Sequence, residues 1–109
     1  MKPEKRKKLI LSLIKDDLIN CKLVNSLNDM GLCADIYLLH LSETVFKLMG
    51  FNESKETEAT YEYYMDLTQR AKHIDISQSS KSFDDLALEI YTTLKYYLKH
   101  PYSNGNQKD

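Results

Sequence analysis

Met30–Phe51 reads MGLCADIYLLHLSETVFKLMGF, and its two ends repeat one device, Met-Gly-Leu at 30–32 and Met-Gly-Phe at 49–51. Gly31 and Gly50 suit the left-handed conformation that follows a helix, and Leu32 and Phe51 can each fold back onto the turn they follow. Between them, Leu38, Leu41, Val45, Leu48 and Met49 recur at helical spacing, extended by Ala34, Leu39 and Phe46. His40, Glu43, Thr44 and Lys47 make a wet face opposite, with Glu43 four residues before Lys47 in the favourable ion-pair order. A helix over 33–49 with a glycine stop at each end reverses the chain twice. This segment is therefore the hinge of the topology.

The segment before it predicts a helix over 3–30, opened by Pro3, a good first-turn residue. At about 100° per residue, Ile10, Leu13, Ile14, Cys21 and Val24 share one face, with Asp17 in its middle. Leu11 and Leu18 form a flanking stripe, Leu9 and Leu27 lie on the other flank, and Ile19 falls towards the polar side. That arc is too wide for a helix packed on one side only. Either the helix is central, or Leu11, Leu18 and Ile19 meet a second copy of the chain.

After the hinge, Asn52 or Ser54 caps a third helix over 54–75, with Glu53 and Glu56 in its positive end. Its inward face is Thr60, Tyr64, Leu67, Ala71 and Ile74, the least apolar of the set, which places it at the bundle's edge. A polar connection, Ile76–Lys81, leads to Ser82 as the cap of a fourth helix over 83–99. Phe83, Leu86, Ala87, Ile90, Leu94, Tyr97 and Leu98 give the cleanest heptad-like pattern in the chain, and Pro101 ends it. No stretch alternates with period two. The fold class is all-α, an antiparallel four-helix bundle, with residues 1–100 as one domain and 101–109 as a disordered polar tail.

With 109 residues, 42% hydrophobic and 28% charged, the composition suits one globular core. The net charge of −1 hides an asymmetry: Lys2, Lys5, Arg6, Lys7 and Lys8 against Glu4 give residues 1–8 a charge of +4, leaving −5 for the remainder. No apolar run reaches the roughly 18 residues of a membrane span, and LILSLI is cut off by Lys15-Asp16-Asp17 before any cleavage site. A cytoplasmic chain is expected, with no membrane contact. Cys21 and Cys33 fall too far apart along two helices to bridge, which fits that compartment.

Catalytic motifs are absent. Gly31 and Gly50 are helix stops rather than parts of a phosphate loop, and the di-iron signature Glu-x-x-His does not occur. His40 and Glu43 form a reversed pair without the third ligand that a zinc site needs. The serines sit at helix starts and in the 77–82 loop, where capping explains them. No cofactor, metal or catalytic residue is assigned, and the chain is expected not to be an enzyme.

Three expectations about function remain. First is a small helical module acting through protein–protein contact, a homodimer through Leu11, Leu18 and Ile19, with outward tyrosines at 61 and 96 as further contact surface. The alternative is a regulatory protein touching nucleic acid through Lys5, Arg6, Lys7 and Lys8, which oppose the helix dipole and so cost stability where they stand. The third is a ligand- or metal-binding bundle around Asp17, with Tyr64 and Tyr97 closing a polar pocket.

Overall fold

The structure is a computed structural model that describes residues 2–26, 41–75 and 79–101, with backbone alone at 23–26 and at 79–80. Four helices and no strand lie among the described residues. Helix α1 is Pro3–Ser26, α2 is helical through 41–49, α3 is Lys55–Thr68 with a 3₁₀ extension Gln69–His73, and α4 is Ser79–Lys99. The first glycine stop, the outer half of the 33–49 helix, Cys33, His40 and the tail after 101 lie outside the described residues.

Contacts between helices fix the directions. Lys15 pairs with Asp84 at 2.9 Å while Lys7 lies over the Tyr91 ring, so α1 and α4 run antiparallel in a register where the two residue numbers sum to about 99. Arg70 pairs with Glu89 and the Tyr63 ring meets Tyr97, so α3 and α4 are antiparallel too. On α1, Asp17 meets Tyr64, Cys21 meets Gln69 and Lys22 meets the Lys72 carbonyl, a rising series that makes α1 and α3 parallel. Ser42 of α2 reaches Asp17, and Leu48 and Met49 come round to Ile10, antiparallel to α1. The bundle is therefore up-down-up-down.

Ile10, Ile14, Leu18 and Cys21 of α1, Val45 and Phe46 of α2, Tyr64 of α3 and Ala71 of its extension form the core with α4. From α4 come Phe83, Leu86, Ala87, Ile90 and Leu94 of the heptad-like set read from the sequence, together with Tyr91, which that set did not include; Tyr97 and Leu98 of the set are half-buried. Leu18 corrects the expected contact surface. It is 0% exposed, because α1 packs against both α4 and the 3₁₀ turn, so this part of its apolar arc is covered within the chain. Leu11 and Ile19 are half-buried against the same core.

The second glycine stop forms as expected. Gly50 has φ of +95°, its N–H bonds the Lys47 carbonyl at 3.1 Å, and the Phe51 N–H bonds the Phe46 carbonyl at 3.1 Å. Those two bonds define a Schellman motif, and its hydrophobic contact is the Phe46–Phe51 ring pair, 4.6 Å between centroids. Ser54 is the cap of α3, accepting from the Thr57 N–H at 3.1 Å. At the other connection the expectation is corrected: α4 starts at Ser79, four residues before 83, so Ser82 lies inside the helix rather than at its cap.

Two substitutions separate core from surface. Leu18→Ala is expected to cost about 2–5 kcal/mol by cavity formation, whereas Leu88→Ala, at a site 46% exposed, should stay within about 0.5 kcal/mol. Gly50→Ala is expected to cost about 1–2 kcal/mol through its positive φ alone, since an added Cβ would meet nothing within 4 Å. Urea unfolding followed by circular dichroism measures all three.

Candidate functional site

Asp17 lies on the buried face of α1 between Ile14 and Leu18 and is 1% exposed. A carboxylate there needs donors from inside the protein. Tyr64 of α3 supplies one, its hydroxyl donating to Oδ2 at 2.5 Å, and Ser42 of α2 donates to the same oxygen at 2.9 Å. Burial raises the Asp17 pKa above its ordinary 3.8, and the two hydrogen bonds pull it part of the way back. Burial also pushes the Tyr64 hydroxyl well above its ordinary 10.0, helped by the neighbouring Asp17 charge. Cys21, one turn along α1, is a free buried thiol raised chiefly by burial as well.

The expected trio of Asp17, Tyr64 and Tyr97 is thus brought together only in part. Tyr97 packs edge-on against Tyr63 and Tyr96 near the far end of α4. By the α1–α4 register it lies level with the start of α1, roughly 20 Å along the bundle from Asp17 at 1.5 Å per residue. Its place beside Asp17 is taken by Ser42, which the sequence reading missed. The signal was there: Ser42 lies three residues before Val45 and one after Leu41, a small polar residue on an apolar stripe, as Asp17 is on its own.

Two grooves open on the surface near the C-terminal end of α2. The larger, about 650 Å³, lies between α2 and α3 over the joint that connects them. Its floor is aromatic, with Phe46 in contact with Phe51, Tyr61 and Tyr64 at centroid distances of 4.6, 5.3 and 5.5 Å. Around this floor stand Glu43, Glu53, Glu58 and Glu62 against the single cation Lys47. Tyr61 forms the inner wall; its hydroxyl reaches toward Ser42 without meeting hydrogen-bond geometry, and it is the one buried side-chain polar atom left unpaired among the described residues. The hinge was legible as a turn in the sequence, but its aromatic groove was not, because Phe46, Phe51 and Tyr61 come from three separate elements.

The smaller groove, about 340 Å³, lies on the other side of α2 and carries the opposite charge. Ile10, Leu48, Met49 and Leu98 line it, and Arg6, Lys7 and Lys95 rim it with Glu4. Both Lys7 and Lys95 lie over the Tyr91 ring, at 5.6 and 5.9 Å from its centroid. The other expected polyanion contacts, Lys5 and Lys8, are exposed on the side of α1 away from the core. Among the described residues no group of three His, Cys, Asp or Glu is placed to hold a metal, and no helix is long and apolar enough to cross a membrane. No family model matches the chain, and no curated protein or solved structure is significantly similar to it.

Removing the Tyr64 hydroxyl tests the buried network. Tyr64→Phe takes one of two donors from a charged acceptor and is expected to cost about 1.5–3 kcal/mol. The pH dependence has a definite sign. Because the folded pKa of Asp17 is raised, the folded state binds the proton more tightly, so this group's contribution is greatest below pH 3.8 and declines as pH rises through the folded value. In Asp17→Asn that decline should vanish, which paired urea titrations across the acid to neutral range measure directly.

Proposed function

We propose that this chain is a non-enzymatic helical module that acts through protein–protein contact, associates with a second copy of itself, and works in the cytoplasm. The observation that carries the reading is the aromatic groove between α2 and α3. Leu9, Leu88 and Tyr96 are exposed one by one elsewhere, whereas here Phe46, Phe51 and Tyr61 together line an open depression of about 650 Å³. Aromatic residues in a concave, polar-rimmed patch supply the buried anchors on which most interface energy rests. Asp17, Cys21 and Tyr64, whose acidity burial alters most directly, are all buried, which supports a structural rather than a catalytic or ligand-binding role for them.

Contact with nucleic acid through Lys5, Arg6, Lys7 and Lys8 is the second reading, supported by their exposure and by the cationic rim that Arg6 and Lys7 share with Lys95. Tyr91, the aromatic residue beside them, is 8% exposed and offers no open face for a base to stack on. That leaves only salt-sensitive attraction to phosphates.

Sedimentation equilibrium at micromolar concentration is expected to give twice the 12.7 kDa chain mass. A monomer at all accessible concentrations refutes self-association. Association through Leu11 and Ile19 on α1 is weakened by Leu11→Glu and Ile19→Glu, with circular dichroism checking that these half-buried sites leave the fold intact.

A further inference from the structure

The aromatic groove has a partner chemistry written on its rim. Glu43, Glu53, Glu58 and Glu62 surround it against Lys47 alone, and all five side chains are exposed. Among the described residues none of the four glutamates is in an ion pair; the salt bridges run between Lys15 and Asp84 and between Arg70 and Glu89. An aromatic floor under an anionic rim suits a long cationic side chain. Its methylene stem packs on the rings, its charge meets their negative faces, and its ammonium reaches the carboxylates.

The same chain carries the matching cations. Lys2, Lys5, Arg6, Lys7 and Lys8 crowd the start of α1, where positive charge opposes the helix dipole. Arg6 and Lys7 turn back onto the chain's own small groove. Lys5 and Lys8 do not. At about 100° per residue they stand on the side of α1 opposite Ile10, Ile14 and Asp17, exposed and without an ion-pair partner among the described residues.

The two surfaces also lie at the same end of the bundle. Residues 46–51 form a wall between them, with Phe46, Lys47 and Phe51 facing the acidic groove and Leu48 and Met49 facing Pro3 and Arg6 at the start of α1. Neighbouring complementary patches on one end can be exchanged reciprocally by two copies about a two-fold axis, which closes the assembly as a dimer. We infer that the acidic aromatic groove between α2 and α3 receives the basic start of α1, through Lys5 and Lys8, from a second copy of the chain. The inference rests on the self-association proposed above and names the surfaces that make it.

A charge-swap experiment tests it. Lys5→Glu/Lys8→Glu alters only the arm, and Glu58→Lys/Glu62→Lys alters only the groove; all four sites are exposed, and circular dichroism checks that both variants stay folded. Each variant alone is expected to associate at least roughly tenfold more weakly than the unaltered chain in low salt. An equimolar mixture should recover a dimer, because each acidic surface then meets a basic one. Dimers that survive both substitutions, or a mixture that stays monomeric, overturn the pairing while leaving self-association standing. If the unaltered chain is monomeric but an oligolysine peptide binds it and loses affinity with Glu58→Lys/Glu62→Lys, the groove takes another protein's basic segment and the second copy is wrong. A monomer that binds no such peptide overturns both the pairing and the groove's role.

Discussion

One buried carboxylate sets the arrangement of three of the four helices. Asp17 of α1 takes a hydroxyl from Tyr64 of α3 and another from Ser42 of α2, and it lies among side chains that could not satisfy it. Such a group adds little net stability, because taking the charge out of water offsets most of what its hydrogen bonds return. Its effect is on choice among alternatives. If α2 or α3 slips by one turn, about 5.4 Å, the donor leaves and an unpaired carboxylate remains in an apolar core. An all-apolar core of the same volume would tolerate that slip far better. Thr60 and Thr68 satisfy their buried hydroxyls locally, donating to their own helix carbonyls at Glu56 and Met65.

Periodicity along the chain carried the helices, their order and most of α4's core, because each is a property of residues three or four apart. The Gly50 joint was legible for the same reason: its bonds and its Phe46–Phe51 contact all fall within six consecutive residues. Leu18 was read as a flank because its angle on α1 leaves it at the edge of the apolar arc. Whether an edge is wet depends on how many neighbours a helix has, and α1 packs against both α4 and the 3₁₀ turn. Tyr97 was placed beside Asp17 because both are inward on their helices, and angle alone does not fix height along the bundle. That height follows from the register that Lys15–Asp84 and Lys7–Tyr91 establish between α1 and α4.

The start of α4 shows a local preference giving way. Ser82 followed by Phe83-Asp84-Asp85 is a sound N-cap sequence, yet the helix begins at Ser79. The extra turn places Asp84 well inside the helix, where it pairs with Lys15 across the seam with α1. A half-exposed pair of this kind contributes about 0–1 kcal/mol, so it steers the register of the seam more than it holds the seam shut.

Around the Gly50 joint, stability and surface chemistry arise from the same residues. Phe46 is buried, yet its ring is shared between the core, through Tyr64, and the open groove, through Phe51 and Tyr61. The Schellman turn that ends α2 is what folds Phe51 back onto Phe46, so the groove's floor exists only while that turn holds. A positive φ at Gly50 is thus required twice, once to stop the helix and once to present the aromatic floor. Because Tyr61 reaches inward toward Ser42, which itself donates to Asp17, the wall of the groove abuts the network that fixes the helix register.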